Sequence, residues 1–186
     1  MKKFFFLWCA LMLAGVFTAG CVYVAFQQTQ RKSADVPAAM AAQQAVYELQ
    51  SGATPQQALP AATDMTSTIT PFVIIFDESK QLVASSDGMA FAYPQGCFTK
   101  IDKSGENRVT WQPAAGLRFA TVGIRYDGGY VIGAYSLSES ERATADFTVT
   151  LAIGCTLYAI GCAALLLVYS WISGRMKKQS LRRLPE

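Results

Sequence analysis

Few side chains in this sequence could do chemistry, and their types favour binding over catalysis. The 186-residue chain contains no histidine, which removes the commonest general base and a frequent metal ligand. Of its five cysteines, Cys97 alone lies outside two long apolar segments, so it is either a buried free thiol or a bridge between two molecules. Acidic residues do not cluster, and neither a histidine-assisted nucleophile nor a zinc or calcium motif is expected. We predict a protein that is not an enzyme and uses no metal or cofactor.

Arginine and aromatic side chains remain as candidates for binding a small-molecule ligand. Arg118 is the strongest candidate, because a guanidinium group can hold a carboxylate through two parallel hydrogen bonds. Trp111, Tyr93 and Tyr135 could give such a pocket its shape and polarity. The competing interpretation is that Arg118 pairs with Asp77 or another nearby acid, while the aromatic rings fill the faces of a sheet.

Two segments without charged side chains, residues 4–26 and 147–173, are long enough to cross a membrane. A hydrocarbon core of about 30 Å requires roughly 20 apolar residues in a helix. Lys2 and Lys3 precede the first segment, and five basic residues follow the second. Because positively charged flanks favour the cytoplasmic side, we expect a two-pass protein of the inner or plasma membrane with both termini in the cytoplasm.

The distribution of charge agrees with this topology. Residues 27–146 carry nine basic and twelve acidic side chains, whereas the rest of the chain carries seven basic and one acidic. The central part is therefore not a basic surface for nucleic acid, and the basic flanks are explained by topology and anionic lipid. The predicted parts are a cytoplasmic N-terminus (1–3), a first transmembrane helix (4–26), an extracytoplasmic domain (27–146), a second transmembrane helix (147–173) and a basic cytoplasmic tail (174–186).

The end of the first apolar segment allows a second interpretation. Residues 18–21 read Thr-Ala-Gly-Cys after a basic and then apolar stretch, as in a signal peptide whose cysteine is lipidated and becomes the new N-terminus. Thr18 stands where leucine is usual, and residues 22–26 prolong the apolar run past the cleavage point. An uncleaved span and lipidation at Cys21 both remain open, and each leaves the central domain outside the cytoplasm.

Small side chains recur at close spacing in both apolar segments. Such residues let membrane helices approach closely, so they predict either packing of the two segments within one chain or association of two copies in a homodimer. The residues are Ala10, Ala14, Gly15, Ala19, Gly154, Cys155, Ala159 and Ala163.

Hydrophobic periodicity between the two apolar segments predicts an α+β domain with a five-stranded antiparallel sheet. Apolar residues at helical spacing predict a helix over residues 33–50 that ends before Gly52. This helix either continues from the first apolar segment or begins after a break near Pro37. β-Branched and aromatic runs then predict strands at residues 72–76, 81–85, 108–112, 117–126 and 130–137.

The connections between the predicted strands differ in character. The link Asp127-Gly128-Gly129 predicts a tight hairpin, because such turns need positive φ angles that glycine adopts without strain. Residues 87–107, punctuated by Pro94, Gly96 and Gly105, are expected to be irregular. The sheet should therefore comprise two strands, a long connecting section and three further strands.

A helix is predicted to begin at Ser138 and to lead directly into the second apolar segment. The Ser138 side chain could cap its first turn, and Glu141 would complement the positive end of the helix dipole. Neither proline nor glycine occurs between Ser138 and Gly154. Ser138 and Glu141 thus mark the start of a stiff element that could transmit a shift of the sheet to the membrane.

This layout resembles the extracytoplasmic PAS-like (single Cache) sensor domains of bacterial receptors and histidine kinases. The resemblance covers residues 36–142 and rests on the order of helix, two strands, connecting section, three antiparallel strands and membrane helix. It also rests on four local phrases: Thr70-Pro71-Phe72-Val73-Ile74-Ile75-Phe76-Asp77, Thr110-Trp111-Gln112-Pro113, Gly116-Leu117-Arg118-Phe119-Ala120 and Tyr135-Ser136-Leu137-Ser138-Glu139-Ser140-Glu141.

The resemblance implies a PAS-like domain flanked by two transmembrane helices, with a ligand between the sheet and residues 87–107. Receptors of this kind continue after the second span into a HAMP, kinase or methyl-accepting region, whereas this sequence ends shortly after Ser173. We therefore expect a sensing or ligand-binding module that acts through a partner membrane protein or as a homodimer. The alternative is an accessory or structural subunit of a membrane complex without a small-molecule ligand.

Overall fold

Three helices and five strands follow one another in the computed structural model, which describes the backbone of residues 2–61, 70–86 and 92–181 and the side chains of residues 5–61, 70–86 and 92–175. The elements, in chain order, are α1 (Lys2–Gln50), β1 (Phe72–Asp77), β2 (Leu82–Ser85), α2 (Gln95–Ser104), β3 (Glu106–Ala114), β4 (Leu117–Tyr126), β5 (Gly129–Ser136) and α3 (Ser138–Leu181).

The chain divides into two compact units. The apolar unit comprises Met1–Phe26 and Ala145–Glu186, and the sheet unit comprises Gln27–Thr144. The sheet unit contains β1 to β5, α2, the second half of α1 and the first turns of α3. An α+β fold with long apolar helices at both ends is therefore confirmed.

The strands form one antiparallel sheet in the order β2-β1-β5-β4-β3. The inner strands β1 and β5 are buried along almost their whole length, as expected for runs of β-branched and aromatic residues. β3 extends beyond the predicted residues 108–112 at both ends, because its pairing with β4 continues from Glu106 to Ala114. The predicted five-stranded antiparallel sheet is confirmed.

In the sheet unit, α1 ends at a glycine that closes its final turn. The Ala53 amide donates to the Glu48 carbonyl at 3.0 Å, while Gly52 has a φ of 93°. Glycine adopts this left-handed conformation without steric penalty, so the bond satisfies a carbonyl at the helix end. The predicted helix over residues 33–50 is confirmed as part of α1, and Pro37 lies inside that helix without ending it.

The predicted hairpin joins β4 to β5 through the two residues Asp127-Gly128, with Tyr126 opposite Gly129. The positive φ, 141°, belongs to Gly129 at the start of β5. A Cβ on Gly129 would overlap the backbone of Phe76 and Asp77 on β1. Glycine at this position therefore permits close pairing of β1 with β5 in addition to the turn.

α2 lies in the segment for which the sequence predicts irregular structure. Pro94 directly precedes the helix, and Gly105, with a φ of 77°, donates its amide to the Ile101 carbonyl at its end. Proline at a helix start and glycine just past its end are boundary signals, so the residues interpreted as irregular mark the two ends of a helix. Residues 87–91, also in that segment, lie outside the described residues.

One face of the sheet packs against alanines of α1. These side chains are fully buried and recur every three or four residues, which places them on one face of the helix. Gly133 on β5 faces them, and a Cβ there would overlap the Ala38 carbonyl oxygen. The helix thus lies so close to β5 that only glycine fits at the nearest approach. The alanines are Ala34, Ala38, Ala42 and Ala45.

The other face of the sheet packs against α2 through a core rich in aromatic rings. Phe98 and Ile101 of α2 are 1% and 0% exposed. The Phe98 ring lies 5.1 Å from the ring of Phe76 and 5.1 Å from that of Tyr130, edge to face in both cases. Such pairs add to the free energy gained by burying apolar area, so Phe98 is a main attachment of α2 to the sheet.

In the apolar unit, α1 and α3 each contain a stretch long and apolar enough to cross a membrane. The most apolar stretch of α1 is not buried at all, and that of α3 is only 6% buried. The core helix of a soluble protein would be mostly buried. The Tyr158 hydroxyl donates to the Leu11 carbonyl at 3.1 Å, and its ring lies against Gly15. The two apolar stretches therefore contact each other within one chain.

Candidate functional site

A polar cleft of about 650 Å³ opens in the sheet unit at the start of α3. It lies between the residues that begin the α1 part of this unit, strands β3 and β4, and the first turns of α3. Small-molecule sites usually occupy about 300–1,000 Å³, and the volume of this cleft falls in that range although the cleft is open to solvent. The charged and polar lining includes Gln30, Arg31, Thr110, Arg118, Ser140 and Glu141.

Two of the predicted residues meet in this polar cleft. The Arg118 Nη1 atom donates to Glu141 Oε1 at 2.5 Å, and the two side chains are 47% and 48% exposed. An ion pair so open to solvent contributes about 0.2–1 kcal/mol, because water screens the charges and both side chains lose freedom. The pair therefore joins β4 to α3 through a weak contact that is open to solvent.

The first turn of α3 is also attached to β4 through the backbone. The Leu137 amide donates to the Arg118 carbonyl at 2.9 Å, and the Leu137 carbonyl accepts the Glu141 amide at 2.8 Å. The predicted helix start at Ser138 is confirmed. Leu137 takes the capping position, however, and the Ser138 amide donates to Ser136 Oγ at 3.3 Å, so the side-chain acceptor comes from the end of β5.

Tyr93 and Trp111 lie on the opposite face of the sheet from Arg118. Both are 4% exposed and belong to the aromatic core under α2. Their rings are 5.6 Å apart, edge to face, and the Tyr93 ring also meets Phe98 at 5.5 Å. The resemblance implies a ligand between the sheet and residues 87–107. In the described part of that segment, residues 92–107, this region is filled by the protein's own aromatic rings.

A short chain of hydrogen bonds holds the Tyr93 hydroxyl inside this core. Thr121 Oγ1 donates to the Val109 carbonyl at 2.8 Å, so the Tyr93 hydroxyl, 3.1 Å away, donates to Thr121 Oγ1. Burial raises the pKa of Tyr93 well above its usual range, because the charged form loses hydration. Tyr93 is therefore a neutral hydrogen-bond donor whose observed partner belongs to the protein.

Tyr135 lies in a third place, on the α1 face of the sheet. Its half-buried side chain packs against Ala34, Ala120 and Leu137, and it lines a smaller cleft of about 270 Å³ together with Glu139. The structure therefore brings Arg118 together with Glu141, and Trp111 together with Tyr93, but it does not gather the four predicted ligand-binding residues around one pocket.

A second charged cluster, which was not predicted from the sequence, is the Asp102 cluster, formed by Asp102, Lys80, Arg125 and Tyr130. The Asp102 carboxylate accepts bonds from the Tyr130 hydroxyl at 2.6 Å, Arg125 at 2.7 Å and Lys80 at 3.3 Å. It thereby joins α2 to β4, β5 and the turn after β1. The sequence signal that could have revealed this cluster is the pair Pro94 and Gly105, which bound a helix. Asp102 lies on that helix, and the helix places its carboxylate over the sheet.

The Asp102 cluster should make stability depend on pH. The Tyr130 hydrogen bond, followed by Lys80 and Arg125, lowers the pKa of Asp102 below its ordinary value of 3.8. A carboxylate whose folded-state pKa is lowered stabilises the fold above its unfolded pKa, and this stabilisation is lost as the pH falls through the folded-state value. We expect Asp102→Asn to lower the melting temperature at pH 7. As the pH falls below 3.8, the melting temperatures of the variant and the wild type should approach each other.

The measurement is thermal unfolding of both full-length proteins over a pH series. Glu106→Gln is the matched control, because the Glu106 side chain pairs with that of Arg108, only two residues away on the same strand. Its melting temperature should stay close to that of the wild type throughout. If the difference in melting temperature between Asp102→Asn and the wild type stays the same at low pH, the ionised carboxylate does not have the proposed role.

Metal ligands and reactive thiols do not define a site in the described part of the chain. No group of three or more His, Cys, Asp or Glu residues there could hold a metal ion. Cys97 is a buried free thiol on α2, and Cys21 is exposed on the apolar part of α1. The polar cleft is consequently the candidate site with the clearest chemistry.

Comparison with protein-family models, with curated proteins and with solved structures found no match for this chain. The candidate function therefore depends on the chemistry of the polar cleft and the layout of the chain.

Proposed function

We propose that this chain is a two-pass membrane protein whose sheet unit is an extracytoplasmic, PAS-like sensing module. In this proposal both termini are cytoplasmic, the bilayer surrounds the apolar parts of α1 and α3, and the module acts through a partner membrane protein. The long apolar helices support membrane insertion. The basic residues outside both apolar segments support the orientation.

The observation that carries the sensing role is the Arg118–Glu141 ion pair in the polar cleft. A cleft of ligand size contains a guanidinium group that can bind an anion, and the partner of that group is on the first turn of α3. α3 contains the second apolar segment, so a ligand at Arg118 would act on the element that leads to the membrane. This arrangement supplies both a binding group and a route for its effect.

The test is a ligand screen by thermal unfolding of the full-length protein in lipid nanodiscs. We expect a small-molecule ligand to raise the melting temperature of the wild type, and Arg118→Ala to abolish that increase. Arg125→Ala is the matched control, because Arg125 lies on the same strand and is also ion-paired, but on the opposite face. A merely lower melting point for Arg118→Ala, with the ligand-induced increase retained, would contradict the role of Arg118.

The second candidate function, an accessory subunit without a small-molecule ligand, is favoured by the aromatic core under α2. Tyr93, Phe98 and Trp111 fill the space in which the resemblance implies a ligand. A subunit of this kind would show no stabilising ligand in the screen, and it would co-purify with a membrane protein in stoichiometric amount whether or not Arg118 is replaced.

A further inference from the structure

We propose that the polar cleft binds an anion with carboxylate or phosphate oxygens, and that this anion displaces Glu141 from Arg118. The inference rests on the proposed function and adds the chemical class of the ligand and the mode of regulation. Two guanidinium groups, those of Arg31 and Arg118, line the cleft together with one carboxylate, that of Glu141.

Arg118 is only partly used by its present partner. Among the described residues, the Arg118 side chain donates one hydrogen bond, from Nη1 to Glu141, whereas a guanidinium group carries five N–H donors in a planar fork. An anion with two oxygens at carboxylate or phosphate spacing can take two of these donors in parallel. Such a ligand would make a stronger contact with Arg118 than the single bond that Glu141 makes.

Arg31 supplies a second positive charge to the cleft. It is exposed on α1, and no ion pair among the described residues includes it. With Glu141 on Arg118, the cleft retains the charge of Arg31. An incoming anion would therefore interact with two guanidinium groups while replacing one carboxylate.

Displacement of Glu141 would act directly on the first turn of α3. That turn is attached to β4 by the Arg118–Glu141 side chains and by the backbone bond between Leu137 and Arg118. Loss of the side-chain contact removes one of these attachments, so the amides of the turn should open more often. Anion binding would therefore increase the local mobility of residues 141–144.

Two sources could supply the anion, and both present the same chemistry. A free carboxylate or phosphate could enter from solution. A lipid phosphate is the second source, because residues 27–31 directly follow the first apolar segment and residues 140–144 closely precede the second. The experiment must therefore vary soluble anion and lipid charge independently.

The experiment uses the full-length protein in nanodiscs of phosphatidylcholine, titrated with inorganic phosphate or succinate at constant ionic strength. Calorimetry measures affinity, and hydrogen exchange measures opening of residues 141–144. Nanodiscs containing phosphatidylglycerol, without added anion, test the lipid source. Faster exchange on adding anion to the phosphatidylcholine nanodiscs identifies a free anion as the source. Faster exchange in the phosphatidylglycerol nanodiscs without added anion identifies a lipid headgroup.

The decisive variant is Glu141→Gln, which removes the competing carboxylate. We expect it to bind the anion about two- to sixfold more tightly than the wild type, since an exposed ion pair occupies Arg118 for only part of the time. Arg118→Gln should weaken binding at least about tenfold through loss of a bidentate contact. Asp102→Asn and Arg125→Gln, which alter an ion pair on the other face, should leave the affinity unchanged.

Each failure has a distinct signature. Anion affinity that is equal or weaker in Glu141→Gln would overturn the competition. A neutral ligand that stabilises the protein equally with and without Arg118→Gln would overturn the anionic class while leaving a sensing function in place. Absence of stabilisation by every neutral and anionic compound and by both lipid compositions would overturn the sensing function as well. Unchanged hydrogen exchange across β1 and β5 verifies that each variant is folded.

Discussion

Replacing Phe98 with alanine is expected to destabilise the sheet unit by about 3–5 kcal/mol, the usual cost of removing a buried phenyl ring from a core. Phe98 is 1% exposed, and its ring meets those of Phe76, Tyr93 and Tyr130. The cavity would lie between α2 and the sheet, so α2 should detach before the strands separate. Urea unfolding of the full-length protein, followed by hydrogen exchange in α2 and β5, measures both effects.

Tyr47→Ala is the matched control for Phe98→Ala, because Tyr47 is an aromatic residue that is 68% exposed on α1. It should change the free energy of unfolding by no more than about 0.5 kcal/mol, as is usual at the surface. Similar stability losses in the two variants would mean that the aromatic core under α2 does not hold the unit together.

Replacing Gly133 with alanine should destabilise the sheet unit by about 1–3 kcal/mol, although alanine is usually the better residue in a strand. The added Cβ would overlap the Ala38 carbonyl oxygen and would lie 2.9 Å from the Ala42 amide nitrogen. These are backbone atoms, so no rotation of a side chain can relieve the overlap, and α1 must move away from β5. Thermal unfolding measures the loss, and faster hydrogen exchange in residues 38–45 would locate it.

Gly96→Ala provides the control for Gly133→Ala. Apart from its chain neighbours and its own helix, no described residue has an atom within 4 Å of a Cβ placed on Gly96, and alanine is favoured over glycine in a helix by up to about 1 kcal/mol. The melting temperature should therefore stay constant or rise. An equally stable Gly133→Ala variant would show that α1 is not packed against β5 at this distance.

The strands were predictable because their signals are local. The run from Phe72 to Phe76 and the Asp127-Gly128 turn depend on residue type and neighbours within a few positions. The helix α2 was missed although its boundary residues were noticed, because Pro94 and Gly105 are equally typical of loops. What distinguishes the two interpretations is burial of Phe98 against the sheet, and burial is not a local property.

The candidate site was predictable only in part, for the same reason. Arg118 was identified from the chemistry of its side chain, and Glu141 from its place near a helix start. Their contact spans 23 residues of sequence and depends on how the end of β5 directs α3 past β4. The same dependence on tertiary structure explains why the Asp102 cluster was missed.

By itself, the sequence determined that two apolar segments enclose an α+β unit, that five strands alternate their side chains between two faces, and that histidine chemistry is absent. These properties follow from composition and local periodicity. The tertiary structure alone decided which helix covers which face. Because α2 covers the face with Trp111 and Tyr93, these rings became a core, whereas Arg118 on the other face meets α3 in an open cleft. Alternation along a strand specifies that neighbouring side chains diverge, but only packing specifies what each of them meets.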